Sequence, residues 1–326
     1  MPDTDPRILE LIREQCALVS AGARLVHLDE AALPAYAARL IAEGHGRDSS
    51  PADPWLATAD DAESRATLVV ALDAVNFGSG YHPLLTKRPG LSGAVTIATG
   101  LRDHFERSGG LTAADLIALT PAAAHTIFGQ PVDDGPIDKL MTHLAVALGD
   151  LGRLVADRYD GRFLHLVDDA GHSAAGLVGV LDQLAFFHDV ASWYDLEVPF
   201  YKRAQLTAAD LARAFSGAGP GRFDDLDRLT AFADNLVPHV LRVDGVLRYE
   251  PELAEYIDAG ELIRAGSEAE VEIRAGGVHA VERLCAAMAD LGHPTTPQEL
   301  DSLLWFRGGA PSYKAIPRHR TRSVFY

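Results

Sequence analysis

Several common building materials are scarce in this chain. Two cysteines, Cys16 and Cys285, occur in 326 residues, too few for a disulfide framework or a thiolate metal cage. No apolar run is long enough to cross a bilayer. The opening "MPDTDPRILELIREQ" has no basic start followed by an apolar centre, so no secretory leader is expected and the cytoplasm is the expected location. Positive charge is also short: 29 Lys and Arg against 46 Asp and Glu give a formal charge of −17. Such a surface repels a polyanion, which argues against long nucleic acid as a partner. The one dense basic cluster is "RHRTR", Arg318 to Arg322. There is no Walker loop, no dinucleotide-binding glycine fingerprint, no His-Glu-x-x-His pair and no esterase nucleophile elbow. Chemistry therefore falls to carboxylates and lysine, with no metal or organic cofactor expected.

What is present suits a helical globular protein. Hydrophobic residues make up 48% of the chain, enough for a core in one large domain, or in two intimate helical lobes over about 1–160 and 161–326. Apolar spacing predicts an amphipathic helix from Pro6 to Val19 and a second, capped by Asp29, to Leu40. Composition predicts a loop over 43–54, in which His45 reads as solvated. The run "ATLVVALDAVNFGSGYHP", Ala66 to Pro83, reads as a buried element ending in a glycine turn. Asn76 and Phe77 at that turn offer an amide and a ring to a flat heterocycle, or simply close a core element. Three helices are signalled between Gly90 and Gly129, then a turn at 131–136 and a long helix over 137–157. "GRFLHLV", Gly161 to Val167, is the best strand candidate, with a buried connector as the alternative. Ser173 to Val190 reads as a central helix leading to Trp193, which is either a stacking wall or core. Further helices start at Ser267 and at Thr296. The acids of "EVEIRAGG", Glu270 and Glu272, together with Arg274, read as ordinary surface residues of a first helical turn. The ending "PRHRTRSVFY" finishes in apolar and aromatic residues and is expected to dock.

The segment from Pro199 to Val240 is the densest in chemistry. Thr207 with Asp210 predicts a capped helix start, flanked by Leu206 and Leu211. Tyr201, Lys202 and Arg203 then lie just before a helix N-terminus, where the basic pair makes a spot suited to a phosphate. "GAGPG", Gly217 to Gly221, ends that helix. A second helix is expected from about Asp224 and must break near Asp234, because Pro238 collides with the carbonyl four residues back. From spacing alone Asp234 reads as an ordinary cap. The hexamer "LTAADL" occurs twice, at Leu111–Leu116 and Leu206–Leu211, and reads as one capping solution used twice.

The pieces "LDAVNFGSG", "FYKRAQLTAADL", "FADNLVPHVLRVDGVLRY", "EVEIRAG" and "PRHRTRSVFY" together resemble the queuosine salvage protein family, in matching order from Leu72 to the last residue. Members of that family are queuosine 5′-phosphate N-glycosylases, related to helix-hairpin-helix DNA glycosylases. The resemblance implies a mainly α, DNA-glycosylase-like fold with few short strands. It also implies hydrolysis of the N-glycosidic bond of queuosine 5′-monophosphate to queuine and ribose 5-phosphate. Carried onto this sequence, it makes Asp234 the catalytic carboxylate and Lys202 its partner. A fixed carboxylate is what C1′–N cleavage needs, because positive charge builds on the ribose ring. Lys202 precedes the glycine-rich connector, whereas the catalytic lysine of those DNA glycosylases follows it, so Schiff-base chemistry is not carried over. Queuine is a 7-deazapurine and lacks the ring nitrogen that purine hydrolases protonate, so help for the leaving group must reach other atoms. Asn76, Phe77, Trp193 and Tyr201 are the candidates for holding the base, and Glu272 for its cationic arm. Arg203, His319, Arg320 and Arg322 are the candidates for the 5′-phosphate, with a structural ion-pair clasp as the alternative for the tail cluster. Two other classes stand beside this reading: a DNA glycosylase, against which the charge argues, and a protein that binds a modified nucleoside without cutting it.

Overall fold

The computed structural model describes residues 5, 7–43, 59, 61–132 and 135–326. The loop expected over 43–54 with His45 lies beyond Glu43 outside the described residues, as do Asp133 and Asp134 of the turn at 131–136. The fold is a single, mainly α domain. In chain order the helices are α1 (Ile8–Gly22), α2 (Leu33–Ala42), α3 (Ala62–Ala74), α4 (Gly93–Ser108), α5 (Ala113–Ile117), α6 (Pro121–Phe128) and α7 (Pro136–Arg158). They continue as α8 (Phe163–Asp169), α9 (Ala174–Leu181), α10 (Lys202–Ala214), α11 (Val237–Val243), α12 (Pro251–Asp258), α13 (Glu268–Asp290), α14 (Pro297–Arg307) and α15 (Pro311–Lys314). Four short strands pair as two antiparallel ribbons. β1 (Val26–Leu28) lies on β4 (Leu247–Tyr249) with Val26 opposite Tyr249, and β2 (Val190–Trp193) on β3 (Leu196–Pro199) with Val190 opposite Pro199.

Two helices organise the core. The long α13 is buried nearly all round through Val271, Ile273, Val278, Val281 and Leu284, and packs against α1, α2, α11 and α14. Its Gly277 lets α11 approach so closely that a Cβ there would meet Pro238 Cγ at 2.7 Å. Helix α10 is buried on most of its surface and packs against α3 and α9. The third group is α7 with α5 and α6. The tail docks as expected. Thr321 presses its carbonyl onto Gly80, where a Cβ would come within 2.4 Å, and the Tyr326 carbonyl accepts the Gly78 and Ser79 N–H groups at 2.9 and 3.3 Å.

Four local expectations are corrected. "GRFLHLV" is helical: Phe163, Leu166 and Val167 are buried at i, i+3 and i+4, and the Glu63 carboxylate accepts the Phe163 and Leu164 N–H groups at the start of α8. The central helix starts at the Ser173 cap but stops at Leu181, and the carbonyl of Phe186 beyond it is taken by the Arg203 guanidinium. Thr207 is not a cap. Helix α10 begins five residues earlier, and the Thr207 hydroxyl donates to the Arg203 carbonyl at 2.8 Å inside the helix. No helix forms from Asp224. Only a 3₁₀ turn at Leu226–Arg228 precedes an irregular stretch that enters α11. Pro238 therefore sits in the first turn of α11, where its missing N–H costs nothing.

Candidate active site

The site is built on the irregular stretch before α11. Every residue from Leu229 to Leu241 is buried, and several polar groups of 230–235 find partners on other elements. The Gln205 side chain of α10 accepts the Thr230 N–H at 2.9 Å. Asp301 of α14 accepts the Phe232 N–H at 2.9 Å. Arg274 of α13 donates Nε to the Ala233 carbonyl at 3.0 Å. The Asn235 amide donates to the His319 carbonyl at 3.3 Å. Asp234, 9% exposed, is thereby held at the N-terminus of α11, where its Oδ1 accepts the Leu236 and Val237 N–H groups at 2.8 and 3.1 Å. Its Oδ2 makes no hydrogen bond with any described residue. One oxygen is a cap and the other is unengaged.

Lys202, which feels the charge of Asp234, lies in the first turn of α10. Asp189 fixes that turn: its Oδ2 accepts the Lys202 N–H at 3.3 Å and its carbonyl accepts the Phe200 N–H at 2.8 Å. Asp189 is in turn gripped by both Arg274 terminal nitrogens, at 2.9 and 2.6 Å. The Arg274 guanidinium lies between the Phe200 and Tyr326 rings, 4.0 and 4.7 Å from their centroids. One buried arginine thus ties the Asp234 loop to the Lys202 turn. The Glu270 and Glu272 carboxylates that share its helix are buried as well, so the expectation that Glu270, Glu272 and Arg274 form a surface turn is overturned.

Electrostatically the neighbourhood is tightly coupled. Burial pushes the Lys202 ammonium below the usual lysine range, opposed by the charges of Asp234, Asp73 and Asp301. Burial, and then the Asp234 charge, raise the Asp301 carboxyl well above the usual range. Asp73, at the end of α3, is raised likewise by burial and by Asp210. Sequence reasoning passed over Asp73, Asp189, Arg274 and Asp301 as site residues. Asp73 lies in "LDAVNFGSG" three residues before Asn76, and that proximity was the one available signal.

The other expected residues fall into three places. Asn76 lies two residues past the end of α3, partly exposed, with no hydrogen bond to its side-chain amide among the described residues. Phe77 is buried under the Arg203 guanidinium, 4.9 Å from its ring. Arg203 itself spends its terminal nitrogens on the carbonyls of Asp73, Ala74, Phe186 and Val324. Tyr201 precedes α10 in a left-handed conformation, φ 47°, with its ring edge-on to His188. Trp193 and Glu272 form a separate group. The Glu272 carboxylate accepts the Arg24, Leu25 and Val26 N–H groups and the Trp193 indole N–H at 3.4 Å, so it is committed to the α1–β1 connection. His319 is buried edge-on to Tyr326, its imidazole pushed down to about 3 by burial. Arg320 donates to the Gly260 carbonyl and Arg322 lies over the Tyr81 ring. Both line an open cleft of about 300 Å³ with Leu84 and Tyr256, to which neither Asp234 nor Lys202 contributes.

A mainly helical protein whose buried carboxylate and lysine are brought together by two helix starts is the class that fold and site define. Residues 56–326 match the family model described as queuosine salvage protein. The chain belongs to that family. It is 40% identical over 274 residues to a protein of Sphaerobacter thermophilus, covering 82% of this chain and 83% of that one. It is 32% identical over 338 aligned residues to one of Dictyostelium discoideum, covering 98% and 99%, and 29% identical over 290 to one of Nematostella vectensis, covering 81% and 83%. All three relatives are named queuosine 5′-phosphate N-glycosylase/hydrolase.

Proposed function

We propose that this protein hydrolyses the N-glycosidic bond of queuosine 5′-monophosphate, releasing queuine and ribose 5-phosphate. The names of its relatives support the substrate and the reaction. The observation that carries the mechanism is the buried Asp234 carboxylate, with one oxygen fixed by two backbone N–H groups and the other unengaged. As the C1′–N bond lengthens, the ribose ring takes on oxocarbenium character. The free oxygen of Asp234 faces that charge and orients the attacking water. Because its position is set before substrate arrives, little reorganisation is needed in the transition state. Lys202 is the neighbouring cation and a donor for ribose hydroxyls. Asn76, with an unengaged amide, reads the polar edge of the base.

The test is to incubate the purified protein with the nucleotide and, separately, the nucleoside, and to detect freed queuine. Release from wild type, lost in Asp234→Asn with ligand binding retained, is the expected result. Tight binding with no release from wild type would make the protein a carrier instead.

A further inference from the structure

Resting on that reading, we infer that Asp189 and Arg274 are positioning residues of the reaction. As one buried unit they set the Asp234 backbone against the Lys202 backbone, and they act on the rate of bond cleavage rather than on affinity for the nucleotide. The first observation is how much one residue grips. Asp189 accepts three successive N–H groups: its carbonyl takes those of Phe200 and Tyr201 at 2.8 and 3.4 Å, and its Oδ2 takes that of Lys202 at 3.3 Å.

The second observation is strain at the middle of those three residues. Tyr201 has φ 47° and ψ 40°. A left-handed backbone is costly for a bulky side chain, and it persists only where the surroundings over-determine it, which happens most at functional sites. Here Asp189 supplies the constraint, and the strained residue directly precedes Lys202. An ordinary backbone at Tyr201 would turn the start of α10 and redirect the lysine.

The third observation lies at the other end of the pair. Arg274 donates both terminal nitrogens to the Asp189 carboxylate at 2.9 and 2.6 Å and Nε to the Ala233 carbonyl at 3.0 Å. Ala233 is bonded to Asp234. The pair therefore holds atoms in, or next to, both residues that carry the proposed chemistry. Only a planar fork makes all three contacts at once; an ammonium does not. The Phe200 and Tyr326 rings fix the plane of that fork. Arg274 is 1% exposed and Asp189 3%. A buried ion pair adds little stability over apolar residues of the same volume. What this one adds is geometry, and in an active site a misplacement of about 1 Å costs on the order of 10²-fold.

Two variants test the unit. Asp189→Asn keeps the backbone carbonyl and a side-chain oxygen but loses the ionic grip, and Arg274→Lys keeps the charge but loses the fork. In single turnover of the nucleotide, each should lower the rate constant for queuine release about 10²-fold, with KM little changed. The double variant should be no slower than the slower single, because the two act together. A role in stability alone would lower the folded fraction and leave the rate constant of the folded protein unchanged; that result overturns the inference, as does a loss confined to KM. Hydrogen exchange reads the clamp without activity. In Asp189→Asn the amides of 200–202 and those of Leu236 and Val237 should lose protection together, while those of α5 and α7 keep theirs. Loss in one segment only, in neither, or across the whole chain overturns it. Should Arg274→Lys fail to fold, Asp189→Asn carries both measurements. Should neither fold, the two segments of wild type must open with one free energy, and unequal protection overturns the clamp. Exchange is scored whether or not wild type frees queuine, so failure here and failure of the glycosidase reading are told apart.

Discussion

In the proposed reaction Asp234 meets the sugar with one oxygen, because two backbone N–H groups hold the other. An asparagine keeps that cap through its carbonyl and removes the charge. Asp234→Asn should therefore bind substrate but lose turnover by about 10³-fold or more, the scale of a lost transition-state electrostatic contact; single-turnover release of base measures it. Asp301 makes a different prediction. Its folded-state carboxyl is raised above its ordinary value of 3.8 by burial and by Asp234. The folded protein then holds a proton that the unfolded chain gives up, so this residue's contribution is fully present below pH 4 and is lost as pH rises. Asp301→Asn still accepts from the Phe232 N–H and has no proton to lose. Its stability relative to wild type should grow from pH 4 toward 7, by up to about 1.4 kcal/mol per pH unit, measured by urea midpoints at each pH. A variant curve parallel to wild type would contradict the buried acid. Of the candidate residues, Asp234 and Lys202 were named in the sequence because the family resemblance carries them. Asp301 and Asp189 were not, since each acts across the chain: Asp301 lies 69 residues from Phe232, and Asp189 lies 85 from Arg274.

Among the elements, the repeated hexamer separates local from tertiary causes. At Thr112 the sequence does what it predicts: the hydroxyl caps α5 and Asp115 completes a capping box. At Thr207 the same six letters lie inside α10, because the start of that helix is fixed earlier by Asp189 and the Arg274 clamp. Thr112→Asp should be tolerated within about 0.5 kcal/mol, since Asp caps as well as Thr. Thr207→Asp would bury a charge beside Asp73 and should cost about 3 kcal/mol or more; equal urea midpoints for the two variants would refute the distinction. Capped helices such as α6, α13 and α14 were legible for the same reason that α5 was: their signals are short-range. Helix α11 was displaced from its expected place because side chains on α10, α13 and α14 hold 230–233 out of helical form. Gly277 and Gly308 admit α11 at close range, a Cβ at Gly308 meeting Leu236 at 2.7 Å. Gly277→Ala should move the start of α11 and lower kcat more than it raises KM, because Asp234 rides on that start.

For the molecule as a whole, the last nine residues act as a wall of the site. Val324 supplies a carbonyl to Arg203, Tyr326 stacks on Arg274, and His319 holds Asn235. Removing residues 324–326 strips partners from two buried guanidinium groups. It should cost about 3–5 kcal/mol, read as a lower thermal midpoint together with loss of activity. That the tail docks was legible from its aromatic finish; which carbonyls it delivers was not, because they are backbone atoms that any residue would carry. The run of helices was legible from periodicity and caps together with the family resemblance, and the acidic balance from composition.

The stretch that bears Asp234 borrows its shape from the side chains of Gln205, Arg274 and Asp301. In a saturation survey scored on growth or product, those three positions should rank with Asp234 itself, because each of them holds its backbone. A map of intolerance would then trace the scaffolding of the carboxylate more faithfully than the footprint of the ligand.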